Sequence, residues 1–448
     1  MDLLNGKIKN LYFRYFGTVF AAACIPCVYG FVDMIVVGQY YGPDGTAAMT
    51  VVMPIYSIVY SLGLLMGIGG SVLYGNYKGE HPEDIRGRNE YFTVSLIGSV
   101  FFCLLVWAVC IPFDEQLLTF FGADEELMPL SLKYMLPLKI GAPVFLFAQF
   151  LGAFLRNDSS PGLVTAGVAA GGAFNVAADF IFVFGLDMGI FGAALASVLG
   201  GVIDDLVMLA HFFSKKNTIK LVRVKKFFRK TGSVLGNGFS SFITDFAIGI
   251  VNVLLNRQIM KYFGTDALSV FGVLMNINTF VQCCGYSAGQ AAQPIFSINY
   301  GAGKNSRIKE TLRWSLGTAI AFSVIWFALV FALPKAFIRL FMTPTEEVLA
   351  IAPSIFRKHS LAFFFLPFNV FAVYYFQSIL KSRAAMATSL SRGLVLCCIF
   401  IYVLPLLFGA DALWFAMPLT EALTAVFAAV MMVRYTRKLG PDRQLQAE

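Results

Sequence analysis

Apolar residues in this chain fall in long blocks. They alternate neither with the period of two expected of half-buried strands nor with the narrow stripe of a surface helix. A crossing of the bilayer takes roughly 20 apolar residues in a helix. Read with that window, the chain offers twelve such blocks, centred near residues 26, 61, 101, 145, 173, 201, 247, 282, 324, 370, 401 and 423. The expectation is an all-α polytopic membrane protein. Composition agrees: 58% of the 448 residues are hydrophobic, 13% are charged, and the mean hydropathy is +0.72, whereas soluble domains average about 25% charged. The N-terminal MDLLNGKIKN is basic, but no short apolar core with a small-residue cleavage site follows it, so the first block is expected to stay as a span.

Repetition organises the blocks. YYGPDGTAAMTVVMPI (40–55) aligns without gaps on YFGTDALSVFGVLMNI (262–277), Asn76-Tyr77 finds Asn299-Tyr300, and FGLD (184–187) finds FGAD (408–411), at offsets of 222, 223 and 224. Six spans per repeat return each half to its starting side. Two six-helix lobes related by a pseudo-twofold axis along the membrane normal follow, the parallel-repeat arrangement of some secondary transporters. The expected division is an N-terminal lobe at 1–213, a basic linker at 214–233, and a C-terminal lobe with a short tail at 234–448.

Charge sets the orientation. With the N-terminus inside, 26 of the 34 Lys and Arg residues fall on the cytoplasmic side, among them the run KKNTIKLVRVKKFFRK, while the opposite loop DEQLLTFFGADEEL carries five acids and no base. By the positive-inside rule both termini are expected in the cytoplasm. The basic run 215–230 then reads as a topology-setting linker near anionic lipid, not a nucleic-acid site. Cys24, Cys27, Cys103, Cys110, Cys283, Cys284, Cys397 and Cys398 all lie in apolar blocks, where they behave as small hydrophobes, and no disulfide is expected. GAGKNS (301–306) lacks the first glycine at the spacing of a phosphate loop and has Asn305 where such a loop needs Ser or Thr after its lysine. No HExxH is present and no GxSxG stands at a strand-to-helix elbow, GYSAG (285–289) lying inside an apolar block, so neither ATP-driven transport nor an enzyme is indicated.

What remains is a short set of polar groups inside the spans. A charge at mid-membrane costs about 2.5–3.5 kcal/mol on insertion scales, which makes each such acid a candidate site. Asp33 lies in span one. Span five, GGAFNVAADFIFVFG, places Asn175 and Asp179 one turn apart on a common face, and span six adds Ser197. Two carboxylates, an amide carbonyl and a hydroxyl are hard oxygen donors suited to an alkali cation such as sodium, or the acids can take up a proton. Span seven carries Asp245. Glu421 is the repeat-equivalent of Ser197, and Gln282 is one of several intramembrane amides. Asp204 and Asp205, adjacent on one helix, point about 100° apart and cannot both face one cavity. Tyr134, Tyr262, Tyr374 and Tyr375 fall near the expected interfaces or the cavity, and the favoured reading is a belt at the membrane interfaces.

These residues carry a resemblance. The pattern P-x6-D-x4-G (Pro26, Asp33, Gly38), the N-x3-D of span five (Asn175, Asp179), the following G-x2-GAA-x-A-[ST] (Gly189, Gly192, Ala193, Ala194, Ala196, Ser197) and the seventh-span GFSSFITDFAIGIVNVLLN together resemble the multidrug and toxic compound extrusion (MATE) transporters. That family belongs to a superfamily that also contains oligosaccharidyl-lipid and polysaccharide flippases. The resemblance implies a cation site at Asp33, Asn175, Asp179 and Ser197, Ser standing where relatives have Thr. It also implies an acid lining the cavity at Asp245, Asp standing where relatives often have Glu. The function it implies is export of amphipathic, usually cationic, organic compounds in exchange for inward sodium ions or protons. A lipid-linked precursor flippase is the alternative. Asp245, Gln282 and Glu421 are expected to contact substrate or relay a proton, and Pro26 to act as a hinge. No cofactor beyond the coupling ion and no obligate protein partner is expected. The protein is expected to be a monomer in a bacterial plasma membrane, with lipid and a small-molecule substrate as its partners.

Overall fold

The computed structural model describes residues 3–341 and 344–442. Among the described residues every regular element is helical. Eleven helices are long and apolar enough to cross a membrane. One of them, Phe227–Gly301, has 75 residues and would measure about 110 Å if it ran unbroken, several times the bilayer core. It breaks at Gly264, where φ is 77°, so twelve spans result. We label them α1 (Ile8–Tyr41), α2 (Asp44–Glu80), α3 (Ile85–Cys110), α4 (Met128–Asn157), α5 (Pro161–Gly185), α6 (Gly189–Phe213), α7 (227–263), α8 (265–301), α9 (Asn305–Ala332), α10 (Glu346–Ser378), α11 (Ser382–Phe408) and α12 (Ala410–Arg437).

The repeat seen in the sequence has a backbone counterpart. Gly264 aligns with Gly42, and Gly42 also adopts a positive φ, 65°, between α1 and α2. A side chain at either position would clash with its own backbone, so glycine ends the first span of each repeat and lets the second begin almost at once.

Two compact units are present. One comprises residues 17–245; the other comprises 246–442 together with 3–16. The exchange points therefore lie inside helices, at Phe16/Gly17 and Asp245/Phe246, and the basic linker belongs to the first unit. In the second unit, Arg307 donates to the carbonyls of Leu3 (3.1 Å) and Gly6 (2.8 Å), Asn299 Nδ2 donates to Leu3 O (3.0 Å), and the Phe13 ring packs edge-on against Trp314. The eight cysteines are free thiols.

In the first unit α4 packs on α2 and α6, and α5 packs on α6. The α5–α6 seam is a close approach. A Cβ added to Gly171 would come within 2.4 Å of the Gly200 carbonyl, and one on Gly200 within 2.7 Å of the Gly171 carbonyl. A Cβ on Gly172 would meet Ile25 and Tyr29 of α1 at 2.9 and 3.0 Å. Such small-residue contacts let backbones approach within a membrane, where dispersion rather than hydrophobic force holds helices together. The polar residues just beyond them on α1, α5 and α6 are thereby drawn to one place.

The linker is not a loose cable. From Thr218 to Lys225 it lies along α3, whose side chains take up its backbone groups. Lys220 N donates to Asn89 Oδ1 (2.9 Å), Asn89 Nδ2 to Thr218 O (3.0 Å), Val222 N to Thr93 Oγ1 (3.1 Å), and Lys225 N to Glu90 Oε2 (3.0 Å). Its anchor is Asp158, 3% exposed, which accepts from Thr218 N (2.9 Å), the Thr218 hydroxyl and His211 Nε2 (2.8 Å). Burial pushes the Asp158 carboxyl up, but the hydrogen bonds from His211 and Thr218 and the charge of Lys78 outweigh burial and hold it below the usual carboxylate range. A depressed carboxyl contributes stability that is present above its unfolded value, near pH 4, and is lost as pH falls through its folded value. The strap is therefore firm at neutral pH and loosens only in acid. Asp158→Ala is expected to cost about 1–3 kcal/mol and to expose Lys215, Lys216, Lys220 and Arg223 to trypsin. Limited digestion of the two forms checks this.

Candidate functional site

The first unit gathers all four residues expected at a cation site. Asp33 on α1 is 7% exposed and Asp179 on α5 is fully enclosed. Ser197 Oγ on α6 donates to Asp33 Oδ2 at 3.1 Å. The Asn175 amide satisfies both of its ends when its nitrogen donates to Asp33 Oδ1 (3.1 Å) and its oxygen accepts from the Ser197 backbone N–H (3.3 Å). Asp33 thus has a donor on each oxygen.

Asp179 differs. Among the described residues neither of its oxygens has a hydrogen-bond donor, and its carboxyl adjoins that of Asp33 closely enough for the two to share a hydrogen bond once one is protonated. Among the described residues no Lys, Arg or His pairs with either acid. Two adjacent carboxylates shielded from water repel each other strongly, so the pair is complete only with a positive particle between them. A proton closes a carboxyl–carboxylate hydrogen bond. A bare sodium ion finds two carboxylates, the Asn175 carbonyl oxygen and the Ser197 hydroxyl within one cluster, a donor set of the right hardness. Directly after Asp179 the helix widens into a π-turn, Phe180–Gly185, a feature common at functional sites.

Tyrosines surround the acids, and sequence reasoning missed their role. Tyr29 and Tyr56 lie close enough to Asp33 to feel its charge, and Tyr134 lies near both Asp33 and Asp179. Tyr134 is therefore not a belt residue: it is 5% exposed inside the first unit. Tyr374 and Tyr375 are likewise buried, Tyr374 accepting from Gln290 Nε2 (3.1 Å) and Tyr375 bonding the Thr436 hydroxyl (2.7 Å). Tyr29 had a visible signal, since it stands one turn before Asp33. Tyr56 had none.

The other expected site residues have surroundings of their own. Asp245 is half-buried at the end of the first unit. Gln282, in the second unit, accepts from Tyr286 Oη one turn on (3.3 Å). Glu421 meets a partner that the sequence did not single out. Arg392 sits ten residues into α11, inside a π-turn at Ser391–Val395. Its Nη2 and Nε reach Glu421 Oε1 at 2.8 and 3.1 Å, and Asn369 Nδ2 donates to Glu421 Oε2 at 2.6 Å. Both charged side chains are buried, at 7% and 1% exposure. The repeat position that holds Ser197 beside uncompensated acids in the first unit holds an acid with a built-in cation in the second. Pro26 lies within the continuous helix α1, where it leaves the Ala22 carbonyl without its i+4 donor.

A family model described as MatE matches residues 19–181 and 241–403, one match in each repeat. The chain is 21% identical over 419 residues to the multidrug export protein MepA of Staphylococcus aureus (strain MSSA476), covering 93% of this chain and 91% of that one. It superposes with a TM-score of 0.89 on an outward-facing conformation of a multidrug resistance MATE family transporter of the MOP superfamily, at 20% identity and 98% coverage of both chains. With MATE in the bent conformation the TM-score is 0.88 at 19% identity, covering 98% of this chain and 97% of that one.

Proposed function

This chain belongs to the MATE family, and from that premise we propose that it is a secondary active efflux transporter, exporting amphipathic, cationic organic compounds from a bacterial cell in exchange for inward sodium ions or protons. The observation that carries the reading is the Asp33–Asp179 pair: two shielded carboxylates in contact, Asp33 held by Asn175 and Ser197, with no Lys, Arg or His paired with either acid among the described residues. Such a pair is a loading site for a small positive particle.

Coupling follows if the loaded and empty pairs favour different conformations, because each ligand shifts an equilibrium only by its differential affinity for the two states. Loading draws the Asp33 and Asp179 carboxyls, and hence α1 and α5, together; emptying lets repulsion push them apart. Pro26 is the point where α1 has one backbone hydrogen bond fewer and yields most easily. In this scheme both termini are cytoplasmic, and Asp245 attracts the cationic substrate. A flippase for lipid-linked precursors would use cavity bases to hold phosphate. Arg392 does not serve that purpose, because Glu421 already neutralises it.

The test is dye efflux from proteoliposomes with sodium and pH gradients imposed separately. Efflux is expected under one gradient and not the other, and the effective one identifies the ion. No efflux under either gradient, with phospholipid scrambling in the same vesicles, overturns the antiport reading in favour of a flippase.

A further inference from the structure

Asp204 and Asp205 part ways on α6. Asp204 lies in the α5–α6 seam, where a Cβ on Gly167 would come within 2.3 Å of its Oδ1. Asp205 turns to the flank of the unit, into a cavity of about 520 Å³ between α3, α4 and α6 that is unrelated to the Asp33 cluster. Eight residues separate Asp205 from Ser197, about 12 Å along the helix. Phe92, Phe147, Phe150 and Phe212 wall the cavity as a connected ring cluster, with centroids 5.6 Å apart for Phe92–Phe150, 6.1 Å for Phe92–Phe212 and 6.0 Å for Phe147–Phe150. Residues 219–221 of the strap close one end. The walls are firm, since Phe150 is fully buried and Phe92 nearly so. The single acid among them, Asp205, has no hydrogen-bond partner for its Oδ1 and no ion-pair partner among the described residues.

We propose that this flank cavity binds an amphipathic organic cation taken from the membrane, its aromatic or alkyl body against the four phenylalanines and its charge at Asp205. The volume lies within the 300–1,000 Å³ of drug-sized sites, and apolar walls with a few placed polar groups, here Asp205 on α6 and Lys220 at the strap end, are the usual composition of such sites. Charge selects among possible occupants. An acyl chain fills the ring-lined space but leaves an unpaired carboxylate oxygen against hydrocarbon. A phosphate drawn to Lys220 at the strap end leaves Asp205 equally uncompensated. A delocalised cation satisfies the carboxylate and gains cation–π contact with the rings. Compounds of this class gather at the boundary between headgroups and acyl chains, and the strap places the closed end of the cavity near such a boundary.

The experiment uses the full chain in phosphatidylcholine nanodiscs, an azido derivative of tetraphenylphosphonium as photolabel, and peptide mapping by mass spectrometry. Saturable labelling is expected within 143–151 and 205–221. It is expected to fall about tenfold or more in Asp205→Asn, through loss of the charge contact, and to vanish in Leu209→Trp, which fills the cavity from an exposed position on its rim. The isosteric neutral azido tetraphenylsilane is expected to label these peptides weakly. Asp33→Asn is expected to leave this labelling intact, which separates the proposal from the coupling reading. Equal labelling by the neutral probe, labelling unchanged in Asp205→Asn, or displacement of the probe by phosphatidylethanolamine at membrane concentrations would each overturn it.

Discussion

Asp179→Asn is expected to abolish ion-driven efflux while making the protein more heat-resistant. The reason lies in the geometry of the pair. Both Asp179 oxygens lack a donor and the group adjoins Asp33, so an amide at this position donates to the Asp33 carboxylate and imitates the proton-loaded state permanently. It also removes one buried charge, worth about 2.5–3.5 kcal/mol on insertion scales. Asp33→Asn is not equivalent. Asp33 accepts from Ser197 and Asn175 on its two oxygens, and an amide turns one acceptor into a donor facing a donor, a loss of about 1–3 kcal/mol that offsets the relief of charge. Asp33→Asn should therefore be near neutral in stability. In both variants a cation loses one of two carboxylate ligands, a weakening of roughly 2–4 kcal/mol or about 30–1,000-fold after desolvation is allowed for. The check is a thermal-shift series against sodium and against pH, with efflux measured in parallel. The wild type should be stabilised by its coupling ion, Asp179→Asn should be stable without it, and neither variant should respond. An ion-dependent shift persisting in Asp179→Asn would place the coupling site elsewhere.

Much of this arrangement was legible in the sequence, for identifiable reasons. An acid in an apolar block must be accounted for, which singles out Asp33, and helix periodicity alone puts Asn175 and Asp179 on one face. A break between the blocks centred near 247 and 282 was legible from their spacing, and the structure puts it at Gly264, which aligns with Gly42 and shares its positive φ. What hydropathy lacks is rotation about the helix axis. It reports depth, so Tyr134 read as interfacial when it faces the acids. Arg392 was missed for a related reason. The stretch SRAAMATSLSRG is polar enough to pass for a loop, yet it forms the first turns of α11, and only tertiary packing brings Arg392 to Glu421. The strap had no signature at all, because the groups that Asn89, Thr93 and Glu90 bind are backbone N–H groups, which every residue but proline carries.

The Arg392–Glu421 pair yields the second large effect. Arg392→Leu removes the one cationic partner, among the described residues, of a carboxylate that is 1% exposed and leaves it with the Asn369 amide. Breaking a buried pair from one side costs about 3–5 kcal/mol, since the surviving charge cannot reach water. Arg392→Leu is therefore expected to accumulate poorly and to unfold many degrees below the wild type in detergent. Adding Glu421→Gln should restore most of the loss: the side chain keeps an oxygen for Asn369, the buried charge is gone, and neutral replacements for buried ion pairs are often no less stable than the pair itself. The double variant also separates the two roles open to Glu421. If the acid relays a proton or meets substrate, the restored protein is stable and inactive in the proteoliposome assay. If Arg392 is a fixed counterpart to the exchangeable cation of the Asp33 cluster, locking the repeat-equivalent position in one charge state, the restored protein is stable and still pumps. The geometry favours the second outcome, because an acid held by two guanidinium contacts and an amide has no oxygen left to pick up and release a proton without first dismantling the pair.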